Sequence, residues 1–260
     1  MSRRTFDRTK ITQLEKIRVG IVNYLNTKPL LYGLGRPPIS DQIILKGDYP
    51  ARLVQQLLND EIDLGLIPVA ALPQIPDYHI VGNYCIGAEA EIASVALFSD
   101  VPMEEIETVY LDYQSRTSVA LLKYLMKDYW GIHPQIIQAI GEDYREKIKG
   151  KAAGLVIGDR ALEQRKISNY IYDLGSEWRA ITGLPFVFAA WISRKELPAS
   201  FIEAFDKANA MGLEHIDKIV AENPFPLFDL ARYYKLHLSY KLDDKKKEGL
   251  AHFLRLISLD

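Results

Sequence analysis

A chain of 260 residues with 25% charged and 48% apolar composition can bury one large core or two modest ones. Its formal net charge of −2 gives no general attraction for nucleic acid or an anionic membrane surface. No window approaches the ~20 apolar residues of a membrane helix, and the one cysteine, Cys85, excludes an internal disulfide and reads as a packed thiol.

Residues 1–16 are charged and lack the apolar stretch of a secretory signal, which predicts a frayed extension on a cytoplasmic protein. Ile17-Arg18-Val19-Gly20-Ile21 predicts a buried strand. It runs into Val22-Asn23-Tyr24-Leu25-Asn26-Thr27-Lys28-Pro29-Leu30, a polar turn before a helix that Pro29 can open and Thr27 can cap. Such a strand-to-helix turn is a place where open α/β sheets bind anions, and it reads equally as a capped turn with surface polar residues.

A second strand is expected over Asp41–Gly47, then a helix from Pro50 with Leu53, Val54, Leu57 and Leu58 on one face. Ile62, Leu64 and Leu66 mark a third strand ending at Pro68, and this β-α-β-α-β order implies a parallel sheet. Val69–Leu72 predicts one helical turn. The second half of Tyr84–Ser99 predicts a strand, with a first crossing into a second unit over Pro102–Glu107.

Val109-Tyr110-Leu111 starts that unit, followed by Asp112-Tyr113-Gln114-Ser115-Arg116-Thr117-Ser118 and a helix through about Trp130. Further strands are expected at Gln135–Ile140 and Ala153–Ile157, the latter running into Gly158-Asp159-Arg160 and a helix. Tyr170–Leu174 reads as the return crossing, Pro185–Trp191 as a continuous apolar strand, and the chain from Pro198 onward as helical. The expected fold is therefore α/β: two βα domains joined by two crossings, with residues 17–99 and 186–260 in one, 100–185 inserted, and a ligand cleft between them.

The five histidines, His79, His133, His215, His237 and His252, show no ligand spacing for a metal. No G-x-G-x-x-G, G-x-x-x-x-G-K-[ST] or G-x-S-x-G occurs, which argues against dinucleotide, triphosphate and serine-hydrolase chemistry. What remains is a set of polar turns at helix starts, Asn23–Thr27, Ser115–Ser118 and Gly158-Asp159, together with Ser94. Arg116 can clamp a carboxylate through two hydrogen bonds, and equally can be a solvated arginine beside an ordinary N-cap; Asp159 is likewise either a cap or an acceptor for a ligand hydroxyl. The combination suits an organic acid carrying carboxylates and hydroxyls.

Asn23-Tyr24-Leu25-Asn26-Thr27-Lys28-Pro29-Leu30 resembles the signature of the chorismate dehydratases of the futalosine route to menaquinone. The resemblance continues through Asp63–Val69, Ile92-Ala93-Ser94-Val95 to Ser99, Gln114–Ser118, Ile157-Gly158-Asp159, and Trp178 with Thr182–Phe186, in family order over about residues 17–195. It implies a periplasmic-binding-protein type II-like fold used as a lyase that removes water from chorismate to give 3-[(1-carboxyvinyl)oxy]benzoate, with no cofactor and with chorismate as its small-molecule partner.

By the same resemblance Asn26 and Ser94 stand at the reacting ring as candidate catalytic residues, positioning the leaving hydroxyl or the departing proton. Tyr24, Thr27, Ser115, Arg116, Thr117 and Asp159 are candidate substrate-binding residues. Neither Asn26 nor Ser94 is a good base, so a substrate carboxylate is the expected proton acceptor. The chain departs from the family pattern at Ala90, where glycine is usual, between Glu89 and Glu91, which the pattern does not place. Two other readings stay open at this point: an organic-anion binding protein, and the related 1,4-dihydroxy-6-naphthoate synthase acting on cyclic dehypoxanthinyl futalosine.

Overall fold

The computed structural model describes residues 16–258. The extension expected over residues 1–16 lies outside the described residues, save for Lys16. No described helix is long and apolar enough to cross a membrane.

The first strand, β1 (Ile17–Ile21), leads through a 3-10 turn at Leu25–Thr27 into α1 (Lys28–Leu34). Next come β2 (Ile43–Gly47), α2 (Pro50–Leu58) and β3 (Leu64–Pro68). β1 pairs in parallel with both β2 and β3. β3 is buried at all positions, as expected of a strand covered on both faces, while β2 lies at the sheet edge with only Ile43 buried. In α2 the predicted spacing holds, with Leu53, Val54 and Leu57 buried against the sheet.

β4 (His79–Ala88) belongs to the same sheet, but β5 (Val95–Ser99) does not. It lies in a second sheet with β6 (Thr108–Leu111), and the chain then forms α3 (Arg116–Tyr124), β7 (Gln135–Gln138), β8 (Ala152–Ile157), α4 (Asp159–Gln164), β9 (Tyr170–Asp173) and α5 (Leu174–Thr182). The first crossing therefore runs through residues 89–94, ahead of the boundary expected at 99/100. An apolar run such as Val95–Ser99, buried throughout, is equally acceptable to either sheet. Its antiparallel partners β8 and β9 decide the matter, and they lie far along the chain. β9 occupies the edge where a return crossing was expected, so the return falls after Gly183.

β10 (Phe186–Ser193) comes back antiparallel between β3 and β4. α6 (Ala199–Glu214) then packs on α1 so closely that a Cβ at Gly33 would stand 1.7 Å from the Ala208 carbonyl oxygen, and one at Gly212 would stand 1.6 Å from that of Pro29. Only glycine fits at either point. α7 (Ile216–Glu222) and α8 (Leu230–Arg232) follow, but Ser239–Lys241 form β11, antiparallel to β4. The expectation of helix from Pro198 to the end missed this strand, because three residues are too few to show period-two alternation. α9 (Asp244–Ile257) closes the described chain.

The strand orders are β11-β4-β10-β3-β1-β2 and β7-β6-β8-β5-β9. Trp178 of α5 is fully buried against Phe186 of β10 and Phe253 of α9, with ring centroids 5.2 and 6.1 Å apart. This aromatic contact joins the second unit to the first. Cys85 is fully buried, and burial pushes its thiol up to about 12.

Candidate functional site

The turn after β1 and the helix starts after β6 and β8 converge on one cleft of about 640 Å³, solvent at its mouth included. Tyr24, Asn26, Thr27, Ser94 and Ser115 line it. Gln114, Ser118 and Gly158 join them, as do apolar side chains including Leu66, Ile86, Ile157 and Phe188. Polar and apolar side chains share the lining, as in many small-molecule sites.

Within the opening turn the polar residues divide their work. Lys28 donates from Nζ to Asn23 Oδ1 at 2.8 Å on the exterior. The buried Thr27 hydroxyl donates to the carbonyls of Val22 (2.6 Å) and Tyr24 (2.8 Å), so it stabilises the turn and caps no N–H group of α1. Tyr24 donates to Gln114 Oε1 across the cleft at 2.5 Å, and burial holds its phenol well above the ordinary value. Asn26 presents a buried Oδ1 with no hydrogen-bond partner, while the Tyr240 hydroxyl of β11 donates to its backbone carbonyl at 2.9 Å. Its main chain is thus held, and its amide oxygen is left unpaired in a residue that lines the cleft.

Gln114 is also gripped from its own unit. Arg160 Nη2 donates to Gln114 Oε1 (3.0 Å) and to the buried Asp112 carboxylate (2.9 Å), and the Gln114 N–H donates to Asp112 Oδ1 (2.7 Å). Gln114 and Arg160 were not among the candidate residues, although Gln114 precedes Ser115 in the same polar turn. What placed them beyond reach was the pairing of Arg160 with Asp112, which is visible only after β6 and β8 lie side by side.

Ser115 is the N-cap of α3; its Oγ accepts from the Ser118 N–H at 3.1 Å. Arg116 and Thr117 point elsewhere. The exposed Arg116 guanidinium donates to Gln74 Oε1 at 3.1 Å, and the buried Thr117 Oγ1 accepts from the Ala70 N–H at 3.2 Å. The carboxylate clamp expected at Arg116 is not where the structure puts that side chain: one residue step along the helix, about 100°, turns it away from the face that Ser115 and Ser118 share. Accordingly, Arg116→Ala is expected to leave the KM for the substrate within about twofold, since a solvated side chain outside the cleft contributes little; steady-state kinetics of the variant check this.

Asp159 lies behind the cleft wall. Its Oδ1 accepts the Leu25 N–H at 3.0 Å, tying the second unit to the opening turn of the first, and burial holds its carboxyl above the usual range. The preceding Gly158 adopts φ +64° with Tyr24 3.9 Å from where a Cβ would stand, a backbone that favours glycine where a ligand approaches a helix start.

Ser94 arrives on the crossing between the sheets, and that crossing is heavily pinned. Asp173 accepts N–H groups from Ile92 (3.0 Å) and Ala93 (2.8 Å), and its Oδ1 also caps α5 through Gly175 and Ser176, each at 3.1 Å. Burial pushes this carboxyl up to about 6 against those bonds, which leaves it ionised and accepting at neutral pH. Arg165 donates to the Ala93 carbonyl at 3.2 Å and to Glu91. Glu89 pairs with the buried Lys246 of α9 and accepts from Ser239 Oγ at 2.9 Å. The acidic pair that the family pattern left unplaced thus anchors the crossing, Glu89 on the first unit and Glu91 on the second. Ser94 itself is 1% exposed, with its Oγ 2.7 Å from the Tyr233 hydroxyl.

The chain has relatives among known proteins. A chorismate dehydratase from Thermus thermophilus is 27% identical, the match covering 93% of this chain and 95% of that one. A chorismate dehydratase from Campylobacter jejuni is 26% identical over 91% and 95% of the two chains. A Candida albicans protein described as having the generic periplasmic binding protein fold superposes with a TM-score of 0.62 at 13% identity, covering 95% and 91% of the chains. The periplasmic-binding-protein-like fold expected from the sequence is the one observed. A family model described as menaquinone biosynthesis matches residues 17–258, and the chain belongs to that family.

Proposed function

We propose that this cleft dehydrates chorismate to 3-[(1-carboxyvinyl)oxy]benzoate, without a cofactor. The observation that carries the reading is the meeting of Asn26, on the first unit, and Ser94, on the crossing to the second, in one cleft of a chain whose family makes menaquinone. Loss of water from chorismate removes a ring proton and the neighbouring ring hydroxyl and leaves an aromatic ring. No electrons are gained or lost, so the reaction calls for positioning, a proton acceptor and help for the departing oxygen.

The residues supply two of these three. The start of α3, where Ser115 already takes the Ser118 N–H, offers its remaining first-turn N–H groups and the positive helix end to one carboxylate. Leu66, Ile86, Ile157 and Phe188 enclose the ring and exclude water from it. Asn26, with its amide side chain uncommitted on Oδ1, orients the leaving hydroxyl, and Ser94 faces the same space. Neither is a base at neutral pH, which leaves a carboxylate of the substrate itself to take the proton. Asp159 and Thr117 act behind this surface by holding the two units together.

Incubation of the purified protein with chorismate is expected to yield a product lighter by one water, read by mass spectrometry. Unchanged chorismate, under conditions where the Thermus thermophilus relative turns it over, sinks the reading. Tight binding without product marks an organic-anion binding protein instead, and turnover of cyclic dehypoxanthinyl futalosine in a parallel assay marks the later lyase.

A further inference from the structure

We propose that Tyr233 is a positioning residue: by occupying the acceptor side of the Ser94 hydroxyl it fixes Ser94 as a hydrogen-bond donor to the substrate's departing oxygen. The inference rests on the reading of the cleft as the chorismate site. It assigns a direction to a contact that could in principle run either way, because both groups are hydroxyls.

The surroundings decide the direction. Tyr233 is 0% exposed, packed beside Phe228 and Tyr234 with ring centroids 6.1 and 5.6 Å away. Among the described residues its hydroxyl touches one hydrogen-bonding group, Ser94 Oγ at 2.7 Å. Were Ser94 the donor, the phenol hydrogen would be sealed in the core with no acceptor, a cost of ~1–3 kcal/mol. With Tyr233 donating, that hydrogen is satisfied and the Ser94 hydrogen is turned away from the core.

Ser94 has little other freedom. Its N–H donates to the Ile92 carbonyl and its own carbonyl accepts from the Gly158 N–H, each at 2.8 Å. Its O–H has no protein acceptor among the described residues, and the side chain stands in the cleft wall. A donor with one open direction, into the site, completes its bond only on a substrate oxygen. A base role for Ser94 is disfavoured by the same contact, since burial raises the affinity of the Tyr233 phenol for its proton and it cannot relay one away. Tyr233 lies beyond the stretch whose motifs resemble the dehydratases, and the sequence carries no signal for it apart from an aromatic pair, Tyr233-Tyr234.

The test is kinetic, with chorismate as substrate. Tyr233→Phe is expected to lower kcat about tenfold with KM within about twofold, the pattern of an interaction felt mainly in the transition state. Ser94→Ala is expected to lose more, and the double variant Ser94→Ala/Tyr233→Phe is expected to be no slower than Ser94→Ala, because Tyr233 acts through Ser94. Ser94→Cys offers a better base and a poorer donor, and is expected to fall to the level of Ser94→Ala. Thermal midpoints of all four variants separate loss of fold from loss of function. An unchanged kcat in Tyr233→Phe, a further tenfold loss in the double variant, or full activity in Ser94→Cys overturns the inference alone. Chorismate left intact by the unsubstituted protein overturns the functional reading and this inference with it.

Discussion

Asn26→Ala is expected to slow chorismate turnover on the order of 100-fold or more, about 2.7 kcal/mol of transition-state stabilisation, while the thermal midpoint stays level or rises slightly. The two halves of that expectation come from one atom. Asn26 Oδ1 is buried and makes no bond to the protein, so its removal breaks nothing in the fold and relieves an unsatisfied polar group. The backbone of residue 26 remains held by the Tyr240 hydroxyl whatever side chain it carries. Steady-state kinetics beside a thermal melt decide the matter: a variant that unfolds shows Asn26 to be structural, and one that folds and turns over normally shows it to be dispensable to the chemistry.

Asp173→Ala has the largest expected effect on stability, roughly 3 kcal/mol, since four backbone N–H groups lose their acceptor and a helix loses its cap. For a chain of this size that corresponds to a fall of roughly 6–12 °C in the thermal midpoint. Activity is expected to fall further than stability, measured at a temperature where the variant is still folded. Ala93 sits at φ +63°, a left-handed conformation that costs an L-residue ~1–2 kcal/mol and persists because its surroundings impose it. Without the Asp173 carboxylate, Ile92 and Ala93 relax toward ordinary backbone angles, and Ser94 moves off the cleft wall with them. Chemical unfolding and kcat measured together test this. A variant as stable and active as its parent shows instead that the ion pairs of Glu89 and Glu91 suffice to hold the crossing.

The two expectations differ in kind, and the difference follows from where each side chain sends its polar atoms. Asn26 has an unsatisfied buried atom in a residue that lines the cleft, so its expected value lies in function. Asp173 directs both carboxylate oxygens at backbone N–H groups of the chain itself, so its value lies in the fold, and it affects function only through Ser94, the residue after Ala93. Thr27 and Thr117 follow Asp173 in this respect. Both fall within motifs that resemble the dehydratase pattern, and both hydroxyls are taken up by backbone groups.

Local signals were legible where the physics is local. The apolar runs at Ile17–Ile21, Ala152–Ile157 and Phe186–Ser193 form strands because a continuous buried run has few other solutions. The buried faces of α2 and α6 follow from side-chain period alone. The polar turns after β1, β6 and β8 were legible as helix starts that could meet a ligand or simply be capped, because a strand that ends in a helix start leaves N–H groups unpaired. The ordered motifs around them were enough to indicate the family, and it is the resemblance that names Asn26 and Ser94 as candidates.

Tertiary structure decided what depends on partners distant in the chain. β5 could join either sheet until β8 and β9 claimed it, and β11 exists only because β4 offers an edge. The side chain of Arg116 left the cleft because helix geometry turned it outward, while Arg160 approached Gln114 because the buried Asp112 required a counter-charge. The direction of the Ser94 hydroxyl was set by a tyrosine 139 residues away. Sequence determines which local elements the chain can form and which polar groups it carries to their ends, since backbone sterics and side-chain period act over a few residues. Which of those groups remain free to meet a substrate is decided by burial and pairing across the whole fold, because a polar atom sealed from water must find its partner wherever the packed chain happens to place one.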